Sequence, residues 1–138
     1  MEPAFQCGAF ELIEEIGCGG MGQVWRARHA STGVPAAVKL IRADHEMESR
    51  FVERFRREVQ ATASLRHPGI VTVYDYGEVS NDGLELGDLL SDARSPYFAM
   101  ELADDTLAGE AVRDWSTLRR TLVAILDALA HSHARGII

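Results

Sequence analysis

The run Gly17-Cys18-Gly19-Gly20-Met21-Gly22-Gln23-Val24, taken together with Lys39, constrains this chain more than any other feature. Glycine tolerates backbone angles that other residues resist. Without a Cβ it also lets main-chain N–H groups come close to a phosphate. A lone G-x-G-x-x-G pattern is shared with dinucleotide-binding folds. There a helix follows the loop, with an acidic residue about 20 positions on. Here the loop runs instead into Val24-Trp25-Arg26-Ala27-Arg28, which alternates as a strand does. Ser31-Thr32-Gly33 makes a turn, and Pro35 to Ile41 reads as the next strand, carrying Lys39. The loop therefore sits in a hairpin, with a lysine on the strand that follows.

The rest of the chain supplies a compact frame. Residues 1–9 read as a short lead-in, and Phe10 to Ile16 as a first strand with Leu12, Ile13 and Ile16 partly buried. Ser49 to Arg66 reads as an amphipathic helix. Phe51, Phe55, Val59 and Thr62 share its apolar stripe, and Arg50, Glu53, Arg54, Arg56 and Arg57 cover the other face. His67-Pro68-Gly69 stops it, because the residue before a proline avoids helical angles. Ile70 to Gly77 and Pro96 to Glu101 read as strands, separated by an Asp-, Gly- and Ser-rich surface insertion over 80–95. A connection over 102–106 leads to a short helix at Leu107–Val112. A long helix follows from Trp115 to Arg135, with Gly136 placed to end it. The fold class is α+β: a twisted antiparallel sheet of about five strands, one helix packed on it, then a short and a long helix.

Composition narrows the functional classes. A chain of 138 residues suffices for one modest domain with a real core. A net charge of −7 argues against general affinity for nucleic acid or anionic lipid. Two cysteines, Cys7 and Cys18, make no disulfide framework and point to a reducing compartment. No apolar run reaches the ~18 residues of a membrane span, and Met1-Glu2-Pro3 has no signal-peptide character. A cytoplasmic location is expected. His131 and His133 stand two apart on a helix and face different ways, so they do not read as a metal site.

Glu58 completes the constellation. It lies 19 positions after Lys39, on the amphipathic helix. A carboxylate from a packed helix would fix a lysine ammonium that otherwise wanders. The plain alternative is a surface pair with Arg54 at i, i+4, worth on the order of 0.3–0.5 kcal/mol. The segments Gly-Cys-Gly-Gly-Met-Gly-Gln-Val-Trp, Ala-Ala-Val-Lys, Phe-Arg-Arg-Glu, Leu-Arg-His-Pro-Gly-Ile-Val, Val-Tyr-Asp-Tyr-Gly and Phe-Ala-Met-Glu-Leu now stand in order. Together they resemble the eukaryotic-like serine/threonine protein kinases of bacteria, from about Phe10 to Ile138.

The resemblance implies roles. Residues 10–101 would be the kinase small lobe, 102–106 the hinge, and 107–138 the first helices of the large lobe. Gly17, Gly19, Gly20 and Gly22 would fold over the ATP phosphates. Ile16, Val24 and Ala37 would roof the adenine pocket. Met100 would be the gatekeeper, and Glu101 to Ala103 would hydrogen-bond adenine through the backbone. Lys39 would bind phosphate and pair with Glu58. Cys18 would occupy a tolerant position in the loop. ATP and, in a full-length parent, Mg²⁺ and protein substrates are the implied cofactors and partners.

Ala130 to Ile138 resembles the segment that runs into the family's catalytic loop, and the chain ends where that loop would begin. No residue here is assigned as catalytic base or metal ligand. The expectation is therefore the ATP-binding portion of a larger kinase, inactive by itself. Trp115, Leu118, Leu122, Ile125, Leu126 and Leu129 would lack their family partners and seek cover, for example by self-association. Two rivals stand beside this: a non-catalytic binding or dimerisation module of the same shape, and a small-molecule phosphotransferase sharing the lobe.

Overall fold

A computed structural model describes residues 5–19, 22–41, 49–79, 95–106 and 114–138. Gly20, most of the 80–95 insertion, the 107–112 helix and the side chains of Arg50 and Phe51 lie outside the described residues. The strands are β1 (Gln6–Cys7), β2 (Phe10–Gly19), β3 (Gly22–His29), β4 (Pro35–Ile41), β5 (Val73–Val79) and β6 (Ser95–Met100). The helices are α1 (Ser49–Ala63) and α2 (Trp115–His133). All strands pair antiparallel in one six-stranded sheet of order β1-β2-β3-β4-β6-β5. The chain leaves β4, forms α1, and returns to the far edge as β5 before β6 fills the gap.

The lead-in is more than an unstructured start. Cys7 is fully buried and pairs with Phe10 across the β1–β2 ladder. Leu12 is buried as expected, but Ile13 and Ile16 are exposed. Register shifts between Leu12 and Glu14 and between Glu15 and Gly17 explain the difference. A bulge adds a residue on one strand and breaks the two-residue alternation, so side chains expected inside turn out.

Register fixes the two faces, because residues directly opposite in an antiparallel ladder share a side of the sheet. Trp25, Val38 and Ala99 form one row, and Gln23, Leu40 and Tyr97 the next on the same face. This face holds the core: Val38 and Ala99 are inaccessible, with Cys7, Phe10, Leu12, Ala36, Leu40 and Tyr97 around them. The Tyr97 hydroxyl donates to Asp75 Oδ2 at 3.1 Å. A Cβ on Gly8 would overlap that hydroxyl, and Gly8 itself has a positive φ of 58°.

The opposite face carries α1. Phe55 packs on Phe98 with ring centroids 5.9 Å apart. Gln60 Nε2 donates to the Tyr76 hydroxyl at 2.8 Å, and Arg56 pairs with Glu78 at 2.9 Å. Val59 is the buried centre of the helix's apolar stripe. After Ala63 the Leu65 N–H closes on the Thr62 carbonyl, a tight i, i+3 turn. Helix α2 starts at Asp114, whose carboxylate accepts from the Thr117 N–H at 2.8 Å as an N-cap. It ends near Ala134, and Gly136 then takes a positive φ of 75°. Ala128 is its buried residue, set against Gly69 in the turn between α1 and β5.

Candidate functional site

The sheet gathers the candidate residues on the face that α1 covers. Val24, Lys39 and Phe98 form one cross-strand row. Ala37 stands opposite Arg26 on β3 and Met100 on β6, two residues along and so on the same face. Val24, Ala37, Lys39 and Met100 thus converge from three adjacent strands. Ala37 is buried, while Val24, Lys39 and Met100 are half-buried. Gly17 pairs with Val24 and brings the loop against the same row. Ile16, one residue before, is exposed beside the bulge.

The loop glycines have different physical reasons. Gly22 takes a φ of 141°, and a Cβ there would run into the Leu40 carbonyl oxygen. Its lack of a side chain is demanded by the hairpin itself. Among the described residues nothing lies within 4 Å of a Cβ added at Gly19, and at Gly17 the nearest atom is Val24 Cβ at an ordinary 3.8 Å. Neither position needs glycine for packing, so both leave open space above the Val24 row. Cys18 between them is exposed.

At the other end, β6 passes into the 101–106 connection. The Glu101 N–H donates to the Thr72 carbonyl at 2.8 Å, and Glu101 Oε2 accepts from the Thr72 N–H at 3.2 Å. This exchange locks Glu101 to the strand edge and spends its N–H. Its main chain then has the carbonyl left for a ligand, whereas Ala103 is exposed.

Lys39 and Glu58 are not joined. Glu58 Oε1 pairs with Arg54 Nε at 2.9 Å, and its side chain is 64% exposed. No ion pair among the described residues links it to Lys39. The geometry of α1 accounts for this. Residues four apart meet on a helix surface, so Arg54 is always within reach, whereas Lys39 is reached only if the helix closes on the sheet. Glu58, Phe55, Val59, Thr62, Val73 and Phe98 instead line a cavity of about 200 Å³ between α1 and the sheet.

A larger cavity, about 370 Å³, lies elsewhere, among Ala9, Phe10, His29, Val34, Tyr74 and Asp75. It shares none of the candidate residues. Among the described residues no three His, Cys, Asp or Glu side chains converge as a group of metal ligands. No helix of the described residues is long and apolar enough to cross a membrane.

A hairpin glycine loop with a lysine on the strand that follows belongs to a recognisable lobe, and comparison with known families decides which. The protein kinase domain model matches residues 10–138. The chain belongs to the protein kinase family. Its relatives are bacterial serine/threonine-protein kinases. A probable member from Streptomyces coelicolor is 39% identical over 99% of this chain and 20% of its own length. The serine/threonine-protein kinase PknA of Mycobacterium tuberculosis is 37% identical over 95% of this chain and 30% of its own. PknB of the same organism is 38% identical over 99% and 21% respectively. The chain thus spans 20% to 30% of the length of these curated relatives. The kinase fold class expected from the sequence is the one observed, with six strands in place of about five.

Sequence reasoning missed one contact that ties α2 to the α1–β5 turn. His131 of α2 packs against His67 of the α1–β5 turn, with ring centroids 4.9 Å apart. The His-Pro-Gly turn was legible as a helix stop and as part of a family motif, and a helix histidine two positions from another carries no signal for a partner 64 residues away.

Proposed function

We propose that this chain is the ATP-binding portion of a serine/threonine protein kinase. The nucleotide's phosphates would lie under Gly17, Gly19, Gly20 and Gly22, with the Lys39 ammonium on the α- and β-phosphates. Adenine would sit between Ile16, Val24 and Ala37 above and the Met100–Ala103 edge, accepting from the Ala103 N–H and donating to the Glu101 carbonyl. Glu58 would leave Arg54 and orient Lys39 when α1 closes. The observation that carries this is the open space over Gly17 and Gly19 beside the row that holds Lys39. A lysine point charge with unobstructed loop N–H groups suits a polyphosphate.

Phosphoryl transfer needs a positioned base and a metal as well as a phosphate clamp. Neither has an assigned residue here, so transfer to protein Ser or Thr is a property proposed for a longer parent. By itself the chain is expected to show no radiolabel transfer from ATP above a Lys39→Met control. Transfer above that control would overturn the expectation.

The exposed stripe on α2 supports a second reading. Trp115 is 73% exposed and Leu126 63%, with Leu122, Val123, Ile125 and Leu129 beside them. Burying such side chains stabilises by roughly 1.5–3 kcal/mol each, so cover from more chain or from a second copy is favoured. A dimerisation module would self-associate firmly and stay silent with nucleotide. Thermal shift with Mg-ATP, read beside light scattering, separates the two: a nucleotide-dependent rise in Tm supports the ATP-binding portion, and its absence in a firm dimer supports the module.

A further inference from the structure

The contact between α2 and the α1–β5 turn is built around two histidine rings. His67 Nδ1 accepts from the Gly69 N–H at 3.0 Å. Its proton therefore sits on Nε2, which donates to Asp127 Oδ2 at 3.0 Å. The ring is only 13% exposed. His131 lies against it, and its Nε2 is buried with no hydrogen-bond partner. Its Nδ1 receives an Arg135 N–H at 3.2 Å, and the same Arg135 nitrogen donates to the His131 carbonyl at 3.1 Å. Ala128, one turn before, is the buried residue of α2 and sits on Gly69.

We propose that the docking of α2 on the His67–Gly69 turn is gated by protonation: neutral His131 holds the helix down, and the imidazolium releases it. The groups facing His131 are His67 from the turn, Asp127 from its own helix and Arg135 just past the end of that helix. A proton added at Nδ1 would displace the Arg135 donor and leave two cations side by side. The buried Nε2–H would still lack an acceptor. Asp127 attracts the new charge, but it is exposed and already accepts from His67. His67 offers no relief either, because its one free acceptor is taken by Gly69. A buried charge without a partner is expelled or neutralised.

The sign follows from linkage. Desolvation first, then Arg135 and His67, lower the His131 pKa below its ordinary 6.5 in the docked state. The undocked helix therefore binds more protons in the window below 6.5, and docking weakens as pH falls through it. Above that window the contact is intact. The turn joins α1, which carries Glu58, to β5, so the gate acts where the small lobe meets the helices that follow.

The test is a pH titration of the full isotope-labelled chain by NMR from about pH 7.5 to pH 5. Two signals are followed: the His131 ring Cε1–H shift and the cross-relaxation between Gly69 Hα and the Ala128 methyl. The expected result is loss of the Gly69–Ala128 contact along the same curve as the ring titration. In His131→Phe, with neutral-pH circular dichroism matching the parent, the contact persists to the acid end. A contact that survives while the His131 ring titrates, or that is lost equally in His131→Phe, overturns the proposal. If that variant does not fold, coincidence or divergence of the two parent curves decides alone.

Discussion

Lys39 stands directly opposite Phe98 in the β4–β6 ladder, and Phe98 is the side chain on which α1 rests through Phe55. The proposed phosphate-binding lysine and the seat of the Glu58 helix are thus adjacent positions on one face of the sheet. A short closure of α1 over Phe98 would carry Glu58 toward Lys39, and the present competitor is Arg54 at 2.9 Å.

Removing that competitor is expected to help the nucleotide and leave the fold alone. Exposed i, i+4 pairs contribute about 0.3–0.5 kcal/mol. Arg54→Ala should therefore shift unfolding free energy by less than about 0.5 kcal/mol in a urea titration, while Mg-ATP binds more tightly by calorimetry. Glu58→Gln should weaken binding at similar stability. Unchanged affinity in both variants would remove Glu58 from the nucleotide site.

The two kinds of loop glycine predict opposite phenotypes. Gly22→Ala meets the Leu40 carbonyl oxygen at a φ of 141°, so it should destabilise the chain. Backbone strain of that kind costs on the order of 1–3 kcal/mol. Gly19→Ala meets nothing within 4 Å among the described residues, so its denaturation midpoint should match the parent while nucleotide affinity falls. If Gly19→Ala binds Mg-ATP as the parent does, the phosphates do not pass over that residue.

The two thiols should separate cleanly by reactivity. Burial, with the Asp75 carboxylate adding to it, pushes the Cys7 thiol from 9.0 up to about 12, whereas Cys18 is exposed. A thiol reagent at neutral pH should label Cys18 quickly and Cys7 only after denaturation. The same shift makes stability pH-dependent. Between 9.0 and about 12 the unfolded chain loses the Cys7 proton and the folded chain keeps it, so stability falls as pH rises through that window. Rapid native labelling of both thiols would contradict the burial of β1 against the sheet.

What the sequence disclosed and what it hid divide along physical lines. The glycine loop, the Lys39 strand and the amphipathic α1 were legible because each rests on local chemistry: missing side chains, two-residue alternation, a 3.6-residue stripe. Strand β1 was not, since Gln6 and Cys7 are too few to show a period. Ile13 and Ile16 were misplaced because two register shifts on β2 leave no mark in composition. Strand β5 begins at Val73, later than Ile70, because the Ile70 N–H turns back to the His67 carbonyl. Glu58 shows the limit most clearly. Its position on α1 was readable, but its choice between Arg54 and Lys39 depends on how far the helix closes.

The central claim is that the loop, Lys39 and the Glu101–Ala103 edge form one seat for a nucleoside triphosphate. Amide chemical-shift mapping of the full labelled chain with Mg-ATP, beside Lys39→Met, tests it most directly. The account predicts shifts clustered at Gly17–Gly19, Gly22, Val24, Ala37, Lys39 and Glu101–Ala103, and their loss in Lys39→Met. Shifts confined instead to the Phe10, His29 and Tyr74 cavity, or no shifts with ATP at about 1 mM, the level at which a −4 kcal/mol interaction is half-saturated, would contradict it.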